Sequence, residues 1–135
     1  MVETLWAARD RVELMDTVAE IEALKSTLDA VQLGVVRELE ATSAAKAVGC
    51  ASTQDFVTAV AGGDKGTGPA TVRLADAVDR PLLAPVGVAL AEGWLSTAKA
   101  QVIERAVDAL PGDPELRARV VEFRDGSLSP LFVRP

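Results

Sequence analysis

Apolar residues recur at helical spacing through the first forty residues of the chain. Four of them follow one another at intervals of seven: Leu14, Ile21, Leu28 and Val35. Leu24 and Val31 each come three residues after one of these, and together the six residues form what we call the apolar stripe, which Val18 and Leu39 widen. Seven-residue spacing brings side chains to one side of an α-helix. The segment 3–42 contains no proline and a single glycine, so we predict one long helix over residues 3–42.

The apolar stripe has two interpretations. In the first, it packs along the rest of the domain. In the second, Leu14, Ile21, Leu28 and Val35 form the seam of a homodimer, because so long a helix offers more apolar edge than a small domain covers. The charged residues outside the stripe are expected in solvent: Glu20, Glu22, Lys25, Asp29, Arg37, Glu38 and Glu40.

The remaining chain predicts several shorter helices separated by glycine and proline. Helices are expected over about 52–61, 69–79, 85–92, 97–110 and 113–124. Loops are expected over 43–51 and over the glycine-rich segment 62–68, and a disordered tail over 126–135. No alternating strand pattern persists. The predicted fold class is all-α: a single domain, residues 1–125, in which the long helix precedes a bundle of about five shorter helices (residues 52–124).

The apolar face of each predicted short helix follows from spacings of three and four. For the first of them the expected face is Phe56, Val57 and Val60; for the second it is Val72, Leu74, Ala75 and Val78. For the helix over 97–110 it is Ala98, Val102, Ile103, Ala106, Val107 and Leu110. Ser52 and Asp113 are expected as N-caps.

Residues 90–100 have the pattern of a helix-turn-helix. Gly93 allows the turn, Leu95 would anchor it to the core, and Ser96 would cap the second helix. Two interpretations stay open: simple core packing, or entry of the second helix into a DNA groove. In the latter case Ser96, Thr97, Lys99 and Gln101 are the candidate DNA contacts.

Composition limits the chemistry that the chain can perform. The sequence contains no histidine, which excludes hydrolytic triads built on imidazole and the usual zinc sites. Two acid pairs at helical spacing, Asp76 with Asp79 and Glu104 with Asp108, lie outside the apolar faces, so we expect solvated surface acids. We predict no catalytic residue, cofactor site or metal site.

Charge and cysteine content bear on partners and location. The net charge is −6, so general attraction to nucleic-acid phosphates is not expected. Cys50 is the single cysteine and cannot form an internal disulfide, which favours a reducing compartment. Charged residues interrupt the N-terminal segment, so neither a signal peptide nor a membrane span is expected. The predicted location is cytoplasmic.

Residues 51–111 also resemble a known family. The matching segments are 51–53, 70–75, 89–96, 100–106 and 110–111. Together they resemble DUF222, also described as the 13E12 repeat family of actinobacteria, and the long helix before them fits as well. The resemblance implies a helical domain that accompanies an HNH endonuclease domain and is connected with DNA and mobile elements.

The chain departs from the pattern of that family beyond the helical domain. It lacks the residues of an HNH motif, histidine above all, so nuclease activity does not carry over. The expectation is an accessory domain that binds DNA weakly or pairs with another protein. The alternatives are a structural or dimerising module, or a truncated gene product without retained activity.

Overall fold

The computed structural model describes residues 9–110 together with residues 6, 7 and 112. Every regular element within these residues is helical, and none of them forms a strand. The α-helices are α1 (Arg11–Thr42), α2 (Ala44–Ala47), α3 (Thr53–Val60), α4 (Thr67–Asp79), α5 (Ala84–Ala91) and α6 (Thr97–Ala109). A 3-10 turn, Pro81–Leu83, joins α4 to α5. The predicted all-α class, with a long first helix and a bundle behind it, is confirmed.

Two predictions concern the end of the chain. The helix over 113–124, with its N-cap Asp113, and the tail over 126–135 lie outside the described residues.

The long helix α1 begins later than the hydrophobic pattern predicted. Asp10 has an extended backbone, and its side chain accepts a hydrogen bond from the backbone N–H of Glu13 at 2.8 Å. This is an N-cap, and it starts a new helix at Arg11. At the other end Ser43 adopts a left-handed conformation with φ 54°, which ends α1.

The segment predicted as a loop over 43–51 contains a short helix. Ala44–Ala47 forms one turn, and Ala45 within it is buried. The alanine-rich sequence permits this turn because alanine has the highest helix propensity. The loop prediction was therefore wrong for these four residues.

Two serine caps were predicted correctly. Ser52 Oγ accepts a hydrogen bond from the backbone N–H of Asp55, and Ser96 Oγ accepts one from that of Lys99. The turn between α5 and α6 passes through Gly93, whose φ is 85°, and Leu95 is buried there as predicted.

The core lies around α4, which contacts α1, α3, α5 and α6. Its central side chains are aliphatic: Leu74, Leu83, Val86, Leu90, Leu95, Ile103 and Val107. Three residues assigned to apolar faces are instead exposed, namely Val60, Ala98 and Val102. Val60 is the last residue of α3. Ala98 and Val102 lie across the axis of α6 from its buried residues Ala100, Ile103 and Val107, so the spacing of apolar residues gave the wrong side of the helix for both.

One close contact joins α3 to α4. The backbone N–H of Gly68 donates a hydrogen bond to Thr58 Oγ1 at 3.0 Å. A Cβ atom at Gly68 would lie 2.0 Å from the carbonyl oxygen of Gln54. The predicted glycine-rich loop therefore ends at Gly66, and Gly68 belongs to the helical packing.

Candidate interaction surface

The apolar stripe of α1 faces away from the bundle. Successive residues of an α-helix are rotated by about 100°, so Leu28 lies about 160° around the axis from Ser26. The buried residues of α1 are Ser26, Leu33 and Val36. These residues face α4 and α5, the elements with which α1 has most of its contacts. The first interpretation, in which the stripe packs against its own domain, was wrong, because α1 packs against the bundle with the opposite face.

Large aliphatic side chains therefore remain in solvent along α1. Leu24 is 63% exposed, Leu28 67% and Val35 58%, and Leu14, Ile21 and Val31 are exposed as well. Contiguous exposed apolar patches on a soluble domain commonly mark interaction surfaces.

The first half of α1 has almost no support from the described bundle. None of the residues 11–25 is buried, whereas Ser26, Leu33 and Val36 lie in the second half. An isolated helix as short as residues 11–25 is marginally stable in water, since tertiary packing supplies most helical stability in proteins. The first half of α1 thus presents apolar side chains that no other described residue buries.

The inner face of α1 is more polar than the sequence predicted. Asp29 accepts a hydrogen bond from Thr97 Oγ1 on α6. Arg37 pairs with Asp76 and, through Nη2, with Asp79 Oδ2 at 2.8 Å on α4. Asp29 and Arg37 were expected in free solvent, and their contacts with the bundle correct that prediction.

The contacts among Arg37, Glu40 and Asp76 raise the pKa values of Arg37 and Glu40. Hydrogen bonding to Asp76 raises the pKa of Arg37. Burial, followed by the charge of Asp76, raises the pKa of the Glu40 carboxyl. Glu40 was also predicted to be solvated, and its position beside Asp76 corrects this. The pair Asp76 and Asp79 serves to bind Arg37 and so joins α1 to α4.

The four candidate DNA contacts are placed at the N-terminus of α6. Ser96 Oγ caps its own helix, and Thr97 is held by Asp29. Gln101 lines a cleft of about 240 Å³ between α1, α4 and α6, and Lys99 is exposed. The structure thus brings these residues to one helix end, where Lys99 alone extends freely into solvent and a carboxylate lies beside Thr97.

Glu104 departs most clearly from its predicted position. It was expected to be a solvated acid, yet its side chain is 2% exposed and its Oε2 atom lies 3.3 Å from Arg73 Nε. Burial raises the pKa of Glu104, the neighbouring Asp108 raises it further, and Arg73 opposes the shift. The prediction failed because Ala100, Ile103, Glu104 and Val107 share one face of α6, and all four are buried.

The described residues contain no group of three or more acidic or cysteine side chains placed to hold a metal ion. Among the same residues, no helix combines the length and apolar character required to cross a bilayer.

Among the described residues, the geometry is that of an all-α domain in which the apolar stripe of α1 is left exposed. The family model described as "Domain of unknown function (DUF222)" matches residues 15–125, and the chain belongs to that family. The match includes nearly all of α1 and the whole bundle. No curated protein and no solved structure matches the chain.

Proposed function

We propose that this chain is a non-catalytic helical domain that holds two protein chains together through the apolar stripe of α1. The observation that carries the proposal is the exposure of the stripe on the side of α1 opposite the bundle. The absence of histidine from the sequence supports a non-catalytic role. The single cysteine is consistent with a cytoplasmic location.

The occupant of the stripe is a second copy of the same chain. Spacings alternating between three and four residues are those of two-stranded coiled coils, in which the two helices present matching side chains. An acidic residue, Glu20, and a basic residue, Lys25, flank the stripe on opposite sides, so the surface is complementary in charge to its own copy.

Replacing one residue at the middle of the stripe tests the proposal. Leu28→Glu should abolish self-association, because a carboxylate would replace a side chain buried between the helices. We expect the dimer dissociation constant to rise at least about a hundredfold, or about 3 kcal/mol. Sedimentation of the full chain over a range of concentrations measures this constant.

Val102→Glu is the matched control. Val102 is an aliphatic residue on α6 that is 56% exposed, and its replacement should leave the association constant unchanged. A wild-type chain that stays monomeric at high micromolar concentration would contradict the proposal, as would equal effects of the two substitutions.

A second candidate function is weak DNA binding by α6. The glycine turn and the serine cap before α6 favour it, and Lys99 is available to a phosphate. Asp29 beside Thr97 opposes it, as does the net charge of −6.

A gel-shift assay at low salt decides this second candidate. The variant Lys99→Ala/Gln101→Ala should bind DNA more weakly than wild type if α6 contacts DNA, with most of the loss due to the lysine. Lys46→Ala on α2 is the control, since it removes the same charge elsewhere. The hypothesis fails if wild type shows no shift or if the two variants bind alike.

A further inference from the structure

We infer that the two α1 helices pair in parallel and in register, an inference that rests on the proposed self-association. It starts from the heptad positions of α1. With Leu14, Ile21, Leu28 and Val35 at position a, Leu24 and Val31 fall at position d. Ser26 and Leu33 then fall at position f, opposite the seam, and both are buried in the bundle. The two bundles would therefore lie mainly on the outer sides of the pair, with the end of α5 reaching the g position at Thr27.

The flanking charges favour the parallel orientation. In a parallel coiled coil, a g residue lies beside the partner's e residue five positions further along. Glu20 is at g and Lys25 is at e, so each Glu20 lies beside the partner's Lys25. The remaining g and e positions of the seam pair Glu13 with Val18 and Thr27 with Gln32, and thus bring no like charges together.

The antiparallel orientation lacks this match. The antiparallel register that pairs Leu24 with the partner's Leu28 also pairs Ile21 with the partner's Val31, and so keeps the centre of the stripe in contact. This register brings each Lys25 beside the partner's Lys25. Such like-charge neighbours are destabilising. In the monomer, Lys25 Nζ lies 3.0 Å from Glu22 Oε1 on the same helix, and both side chains are mainly exposed, so Lys25 is accessible to a partner.

The aliphatic side chains of the seam do not choose the orientation. β-branched residues at position a combined with leucine at position d favour the parallel dimer. Ile21 and Val35 at a and Leu24 at d follow this rule, whereas Leu14 and Leu28 at a and Val31 at d do not, so the flanking charges carry the inference. Glu38 falls at the next d position, where two carboxylates would meet, so the paired region ends at Val35.

Reversing the charges of Glu20 and Lys25, which flank the stripe, tests whether the two α1 helices are parallel. In a parallel dimer, Glu20→Lys creates two lysine–lysine neighbours and should weaken association roughly tenfold. Lys25→Glu should weaken it similarly, and the double variant should return close to the wild-type constant. Asp16→Lys, which makes the same charge change at the outer position c, is the control and should have little effect. Sedimentation of each full chain measures these constants.

Mixing wild type with Lys25→Glu separates the orientations. A parallel pair gives close to the statistical proportion of heterodimer by native mass spectrometry, because each heterodimer has one attractive and one repulsive contact. An antiparallel pair instead gives an excess of heterodimer, since lysine then meets glutamate. That excess, together with an unchanged constant for Glu20→Lys, would overturn the parallel orientation and leave self-association standing. A monomeric wild type would overturn both.

Discussion

Glu104 is a carboxyl group within the aliphatic face of α6. Its position costs free energy when it is ionised, because burial disfavours the charged form, and the nearby Asp108 adds to that cost. The ion pair with Arg73 offsets part of the cost, but the Arg73 side chain is 51% exposed, so solvent screens the attraction. The net effect raises the pKa of Glu104 above its ordinary 4.5.

The raised pKa predicts how stability depends on pH. A carboxyl whose pKa is higher in the folded state stabilises the fold at low pH, and this contribution is lost as pH rises from about 4.5 through the folded pKa. Relative to wild type, Glu104→Gln should therefore become more stable as pH rises to 7. The expected change is about 1.4 kcal/mol for each unit of pKa shift.

Urea unfolding of both proteins at several pH values measures this difference. Asp16→Asn is the control, since Asp16 is exposed on α1, and its difference from wild type should change less with pH. A free-energy difference for Glu104→Gln that stays constant between pH 4 and 7 would contradict the interpretation.

The turn between α5 and α6 determines how those helices meet α1. Gly93 has a φ of 85°, and a Cβ atom there would lie 3.0 Å from the carbonyl oxygen of Ala23 on α1. Thr27 Oγ1 strengthens this junction by donating a hydrogen bond to the carbonyl oxygen of Ala91 at 3.0 Å. The end of α5 is therefore held against the middle of α1.

Two glycine substitutions should have opposite effects on stability. Gly93→Ala should destabilise the domain by about 1–3 kcal/mol, because alanine is strained at positive φ and would press on Ala23. Gly34→Ala should stabilise it by up to about 1 kcal/mol, since Gly34 lies inside α1 with open space around it. Thermal unfolding by circular dichroism measures both, and a stabilising Gly93→Ala would show that the turn is unstrained.

On the scale of the whole molecule, charge and apolar surface are distributed unevenly. The first forty residues contain nine acidic and four basic residues, so most of the net charge of −6 belongs to the region of α1. Acidic side chains lie outside the stripe along the exposed helix, while the stripe itself stays apolar. This arrangement suits a helix that pairs with its own copy and is unfavourable for general binding to phosphates.

The bundle contacts the second half of α1, and the helical first half projects beyond the described bundle. Two kinds of contact join that second half to the bundle. Arg37 pairs with Asp76 and Asp79 on α4, and Leu33 and Val36 are buried in the core. Pairing through the stripe would stabilise the first half, which the described bundle does not cover. Self-association and the folding of α1 are therefore coupled in this proposal.

Much of the fold could be predicted because it depends on local chemistry. The caps Ser52 and Ser96 and the turn at Gly93 follow from side-chain hydrogen bonding and from the steric freedom of glycine. Both operate within a few residues of the chain. The helical class and the approximate ends of α3 to α6 follow for the same reason.

Which face each helix buries could not be predicted with the same success. The sequence by itself determined that α1 carries an apolar stripe of seven-residue period and that the chain lacks imidazole. Only the tertiary structure decided that Ser26 and Leu33 pack inward, that Glu104 is buried, and that the stripe stays outside. The physical reason is that burial depends on which neighbouring helices reach a given face, and those contacts join residues far apart in the chain.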